Sequence, residues 1–303
     1  MVDQIQTVDP RQVLQPIFLE GIIEKKLEQE LIFENMFPKI NINELSFTYM
    51  KDISSATEDI MSGLQGKPGL LNEVGTLSDI EVSSIDVEYG SMQRVGYKMS
   101  FAKSILREST VIDEISRAVD RAAYGMAQYA NQAIVSTIMN IKNQVNEYVT
   151  DVKWDSVDAN PVQDILKILE STLLPEYPYM LTDLFLHQTQ YFQLLSYIQN
   201  KPYVPWTQSP FKNDVEVPTI NGVRIHNIGQ LVLDDGDYIG IDSRYPGITV
   251  FQYIDPDISS KGSININQVT ELNYPFNVVT EFFSESGYAP KLPNALYYAE
   301  KAL

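Results

Sequence analysis

The chain has two histidines, His187 and His226, and they lie in different segments. A zinc site of the HExxH kind needs two imidazoles one helical turn apart, and no such pair occurs. Each histidine reads as a strand-end or surface imidazole. Asp234, Asp235 and Asp237 flank Gly236, which suggests calcium, but the spacing is not that of an EF-hand. An Asp-Gly turn accounts for them, and Asp255 and Asp257 around Pro256 read the same way. The run GLQGKP has the outline of a phosphate loop, but its spacing is wrong. Pro68 also stands where a Ser or Thr would hold Mg²⁺. There is no Gly-x-Ser-x-Gly elbow. Cysteine is absent, which excludes a thiolate nucleophile, a disulfide and a Cys-ligated metal. No catalytic constellation emerges, so the sequence predicts no enzyme, no cofactor and no metal.

Charge and composition narrow the class further. The 303 residues include 40 acidic and 22 basic side chains, a formal net charge of -18. Phosphate contacts need clustered Lys and Arg, so this balance argues against an exterior that binds nucleic acid. Hydrophobic residues make up 44%, ordinary for a chain that buries a core. The 18 tyrosines suit a carbohydrate site or large protein interfaces, where Tyr supplies area at low entropic cost. No run approaches 18 apolar residues, so no membrane-spanning helix is expected. MVDQIQTVDPRQ lacks the basic and apolar regions of a signal peptide.

The longest periodic stretch is VIDEISRAVDRAAYGMAQYANQAIVSTIMNIKNQV. Its apolar residues recur in steps of mostly three and four, from Val111, Ile115 and Ala118 to Ile138, Ile141 and Val145, on one helical stripe. Ser109 and Thr110 are suited to cap its start, with Asp113 and Glu114 at the positive end of the dipole. The predicted helix, 110–145, is roughly 54 Å long at 1.5 Å per residue. Gly125 at its middle predicts a bend or a close packing contact.

Other elements follow in order. PIFLEGIIEKKLEQELIFENMFP places Leu19, Ile23, Leu27 and Leu31 on one stripe of an amphipathic helix that ends before Pro38. Such an element must dock on its own domain or on a neighbour. ININELSFTY alternates as a half-buried strand. SGLQGKPGLLNEVGTLS is Gly-rich and too long for an ordinary connection. IEVSSIDVEYGSMQRVGYKMSFA reads as two strands around a turn near Gly90-Ser91. Asn160-Pro161 opens a helix with Ile165, Leu166, Leu169 and Leu173 inward. A buried strand, YPYMLTDLFL, and a helix, HQTQYFQLLSYIQN, come next. The remainder is rich in strands, with Asn-Gly and Asp-Gly turns. The class is α+β.

This order of parts resembles the major capsid proteins of tailed bacteriophages and related archaeal viruses, the Hong Kong 97-type fold. VGYKMSFAKSILREST followed by VIDEISRAVDRAAYGMAQYANQAI resembles the family's strand, junction and spine helix. INGVRIHNIGQLVLDDGDYIGIDSRY resembles a passage of its second domain, and PFNVVTEFFSESGYAPKLPNALYYAE its last long strand and closing segment. The resemblance covers most of residues 11–303. One departure is TEFFSES, where family members often carry an Arg.

The resemblance implies an N-terminal arm with its amphipathic helix at 1–40 and an extended loop region at 41–80. It implies a peripheral domain with the spine helix at 81–150 and 256–285, and an axial domain at 151–255 and 286–303. Leu64, Lys67, Leu70, Leu71 and Val74 are the candidates for intersubunit loop contacts, and Leu19, Ile23, Leu27 and Leu31 for the arm. Some family members join a loop lysine to a neighbour's asparagine; a solubilising lysine at the tip is the plainer account of Lys67. The implied role is a shell subunit that self-assembles into hexamers and pentamers around a double-stranded DNA genome. The DNA is enclosed without sequence-specific binding, in a virion assembled in the host cytoplasm. Little precedes the arm, which implies a separate scaffold or none; portal and decoration proteins are further partners. Two alternatives stand beside this reading. One is an encapsulin-type cellular cage of the same fold. The other is an acidic carbohydrate-binding protein or hydrolase, which acidity and aromatic content alone support.

Overall fold

The computed structural model describes residues 22, 23, 25–27, 30–52, 85–102, 111–142, 146, 147, 154, 156, 158–172, 179–199, 219–228, 232–234, 236–254, 265–271 and 277–299. They divide into two compact units. One comprises Met1–Phe47, Tyr89–Ala133 and Val250–Tyr288; the other comprises Thr48–Glu88, Ile134–Thr249 and Ala289–Leu303.

The first unit is a long helix laid on a mixed sheet. Strands β1 (Lys39–Ile42), β4 (Gln93–Ala102), β10 (Ile248–Tyr253), β11 (Asn265–Glu271) and β12 (Asn277–Pro290) make the sheet. β1 runs parallel to β10, with Ile40 opposite Phe251. β12, at 14 residues, runs antiparallel to both β4 and β11. Helix α1 (Val111–Asn140) packs Val119, Ala122, Met126 and Ala127 against Met99 of β4 and Phe282 of β12. Ile23, Leu27 and Leu31 complete that cluster. Ala122 and Met126 belong to the stripe read from the sequence, Ala118 and Ala130 of that stripe pack at the edge of the cluster, and Val119 and Ala127 widen the buried face. Burial of that face stabilises a helix this long.

Helix α1 has 30 residues, about 45 Å at 1.5 Å per residue, so it is shorter than expected. Its last turn tightens: the Ile141 N–H donates to the Ile138 carbonyl at 3.1 Å, an i to i−3 bond typical of helix ends. The caps Ser109 and Thr110, and Val145, lie outside the described residues. At Gly125 a side chain would collide with the Tyr97 hydroxyl, so this glycine marks a close packing contact.

Two strand expectations need correction. ININELSFTY is not one strand but β1 and then β2 (Ser46–Asp52), with bends at 43–45 between them. The alternation slips by a step of three between Ile42 and Leu45, which moves the chain from one sheet to another. β3 (Ile85–Ser91) and β4 are not a hairpin, because β3 pairs with β2 and β4 with β12. Gly90 does not serve a hairpin turn there. The Phe47 ring lies against its Cα, where any Cβ would overlap it.

The second unit is a six-stranded sheet with helices packed on it. β5 (Asn146–Glu147), β13 (Leu296–Ala299), β9 (Tyr238–Ile241), β6 (Asp183–Leu186), β8 (Val223–Asn227) and β7 (Thr219–Ile220) follow in that spatial order. β6 and β9 are buried along their whole length. Asn221 and Gly222 join β7 to β8 with φ of 50° and 87°, the left-handed pair a two-residue hairpin turn requires. α2 (Pro161–Thr172) starts as expected: the Gln163 N–H donates to Asn160 Oδ1 at 3.2 Å. Its buried face holds Val162, Ile165 and Ile168; Leu166, expected inward, is 40% exposed. Leu169 packs at the edge of the core, and Leu173 lies outside the described residues. α3 (Gln188–Gln199) buries Leu194 and Ile198 in the same core. The acidic passage is a turn, closed by the Asp237 N–H donating to the Asp234 carbonyl at 3.1 Å, with Gly236 at φ 99°.

Candidate functional site

No cleft with convergent catalytic side chains stands out among the described residues, so the groups considered are those that dock chain segments and those that present a surface. Three places in the structure bear on this.

The first is the N-terminal segment. Ile23 is fully buried, and Leu27 and Leu31 are 5% exposed, all within the first unit. Leu19 lies outside the described residues. Polar clamps reinforce the apolar contact. Asn131 of α1 donates from Nδ2 to the Glu30 carbonyl at 3.2 Å, and its Oδ1 accepts from the Phe33 N–H. The Glu34 carboxylate is buried and accepts from the Tyr288 hydroxyl at 2.8 Å, with Lys39 at 3.9 Å. Burial pushes the Glu34 carboxyl up, and the hydrogen bonds from Tyr288 and Gln252 and the charge of Lys39 reverse only part of that rise. Burial, with Glu34 alongside, lifts the Tyr288 hydroxyl well above its ordinary range.

The second is the ribbon of β2 and β3. Phe47, Tyr49 and Lys51 alternate on one face and are buried; Phe47 stacks on Phe251 at 4.2 Å. Lys51 donates to Glu88 at 2.8 Å, and Tyr49 donates to the other oxygen of the same carboxylate. These two hydrogen bonds hold the Glu88 carboxyl below its ordinary value, against the smaller opposing effect of burial. The alternate positions Met50, Val87 and Tyr89 are 66%, 53% and 83% exposed. Between the two strands runs 53–84. The loop candidates Leu64, Lys67, Leu70, Leu71 and Val74 belong to it and lie outside the described residues.

The third place is a polar network at one end of the six-stranded sheet, which sequence reading missed. The buried Asp183 carboxylate accepts from Arg224 Nη2 at 2.6 Å, Thr182 Oγ1 at 2.8 Å and His226 Nε2 at 2.8 Å. The buried Asp242 carboxylate accepts from the Met180 N–H at 2.8 Å, the Arg244 N–H and Nε at 3.0 Å, and Arg244 Nη2 at 2.8 Å. Burial alone would raise both carboxyls, but these donors outweigh it and hold each below its ordinary value of 3.8. His226 is half-buried within β8 and stacks on Phe185 at 4.6 Å. His187 follows β6 directly, as a strand-end residue, but is buried and accepts from the Thr189 N–H through Nδ1. The signal for the network was weak: Asp183, Arg224 and Asp242 are scattered along the chain, and only strand pairing brings them together. Among the described residues no group of acidic or histidine side chains is arranged to hold a metal ion, and no helix is long and apolar enough to cross a membrane.

No protein-family model matches the sequence, and no curated sequence does. Solved structures do match in fold. A virus-like particle from Pyrococcus furiosus superposes with TM-score 0.58 at 14% identity, over 93% of this chain and 97% of that one. The capsid of an empty GTA particle gives TM-score 0.59 at 12% identity, over 90% of each chain. This chain has the Hong Kong 97-type capsid fold. In this fold α1 is the spine helix, as the sequence resemblance implied. The holo-SrpI encapsulin complex from Synechococcus elongatus also shares the fold, with TM-score 0.59 at 9% identity over 89% of this chain and 86% of that one.

Proposed function

We propose that the chain is the major subunit of an icosahedral shell, built from its own hexamers and pentamers, that encloses a double-stranded DNA genome. The observation that carries this reading is the likeness in fold over nearly the full length of both chains, for capsids and virus-like particles alike. The absence of any catalytic constellation in the sequence agrees with a structural role, not an enzymatic one. On this reading the chain acts in the virion and assembles in the host cytoplasm. Its partners on this reading are other copies of itself, with portal and decoration proteins, and a scaffolding protein or none, as further candidates. Residues 1–40 serve as the arm, 41–80 as the extended loop region, 81–150 and 256–285 as the peripheral domain, and 151–255 and 286–303 as the axial domain.

A second reading, an encapsulin-type cage, has one specific support. The likeness to an encapsulin complex matches that to the GTA capsid in TM-score. Negative-stain microscopy and nuclease digestion of particles purified from the native source test both readings. Shells holding nuclease-protected DNA are expected; shells holding an enzyme would favour the cage, and no shells would overturn both. A variant with residues 62–76 replaced by a short Gly/Ser turn tests the loop assignment. Its subunit should keep its helix content yet form no stable shells.

A further inference from the structure

The network around Asp183 and Asp242 does more than join strands. Both carboxylates are fully buried, while the arginines they hold are 45% and 49% exposed. A guanidinium carries five N–H donors in a rigid plane. Arg224 directs Nη2 to Asp183 and to Ser243 Oγ, at 2.6 and 3.2 Å. Arg244 directs Nε and Nη2 to Asp242. The Nη1 groups of both side chains, and Nε of Arg224, have no partner among the described residues. Ser243 ties the two sites together: it is the neighbour of Arg244 in the chain and accepts from Arg224.

Tyr245, 45% exposed, lies beside them. Its ring meets Tyr179 edge-on at 5.6 Å, and the Arg244 guanidinium sits 5.8 Å from its centroid. Two arginines and a tyrosine, held in place from beneath, have the composition of an interface hot spot. Their geometry is also fixed before any partner arrives, so little side-chain entropy remains to be lost on binding. A staple that served only the fold would not need guanidinium donors facing outward, because one lysine could neutralise each aspartate.

We propose that Arg224, Arg244 and Tyr245 form a docking site for a carboxylate side chain of a neighbouring copy of this chain. The proposal rests on the shell reading above. The choice of occupant follows from charge. Each copy carries 40 acidic against 22 basic side chains, so carboxylates are what an adjacent copy offers most. The fork geometry of Arg suits them in pairs of parallel hydrogen bonds.

The test compares wild type with the double variant Arg224→Lys/Arg244→Lys and with Tyr245→Ala. The lysines keep a positive charge over each buried aspartate but lose the outward fork. All three proteins are followed by circular dichroism, to establish folding, and by sedimentation velocity over a concentration series. Folded variants that need at least about tenfold more protein for half-assembly are expected. Folded variants that assemble at the wild-type concentration would overturn the proposal while leaving the shell reading intact. Variants that assemble normally but protect less DNA from nuclease would overturn it too, and would make nucleic acid the occupant. If the lysine variant fails to fold, Tyr245→Ala decides alone, since its ring supports neither aspartate. A wild type that never associates would overturn both the proposal and the shell reading.

Discussion

The Glu34 carboxylate and the Tyr288 hydroxyl meet at 2.8 Å although 254 residues separate them, and this bond pins the N-terminal segment to β12 in the first unit. Burial raises the Glu34 carboxyl above its ordinary value of 4.5. In the window between 4.5 and the folded value, the folded state holds the proton and the unfolded state does not. The stabilisation is therefore complete below 4.5 and is lost as pH rises through the folded value. Glu34→Gln should abolish that dependence: its melting temperature should stay flat over the range in which wild type declines. Parallel pH profiles for the two proteins, measured by differential scanning calorimetry, would refute this.

The opposite sign is expected in the second unit. Asp183 and Asp242 have carboxyls held below 3.8, so their stabilisation is present above 3.8 and is lost as pH falls through the lowered folded values. Asp242→Asn should flatten the acid limb of the profile. It should also cost about 1–3 kcal/mol at neutral pH, the scale for leaving a buried donor such as the Met180 N–H without its acceptor, since Arg244 itself stays half-exposed to solvent. Urea unfolding at pH 7 and at pH 3 measures both effects.

Leu27→Ala in the unassembled subunit should cost about 2–4 kcal/mol, because Leu27 is 5% exposed within the core of the first unit. Leu166→Ala, at a position 40% exposed, should cost under about 1 kcal/mol. Equal costs in urea unfolding would mean that the N-terminal segment does not dock on its own subunit.

Much of this was readable from residue patterns, because periodicity reports burial directly. The Asn160-Pro161 start and the Asn221-Gly222 turn are local signals, and the structure has each where it was expected. Of the helical stripe, Ala122, Met126 and Ile138 are buried and Ala118 and Ala130 pack at the edge of the core. The failures came where partners far apart in sequence decide. Gly90-Ser91 reads as a turn until Phe47 is seen lying on Gly90, and Leu166 fits a helical stripe as well as Ile168 does. Asp183, Arg224 and Asp242 carry no motif, and the strand order β8-β6-β9 alone makes them a network.

Salt should promote assembly. Copies at -18 repel one another as they gather, and exposed charges are screened over about 8 Å at physiological ionic strength. Light scattering should show shells forming at lower protein concentration in 0.15 M than in 0.01 M salt; the reverse order would mean that exposed ion pairs dominate the contacts.

The measurement that bears most directly on the shell role is sedimentation velocity of the purified protein across protein and salt concentration. Fast-sedimenting closed particles, in equilibrium with hexamers or pentamers, are the expected result. A single species at the monomer mass of 34.4 kDa under every condition would contradict it.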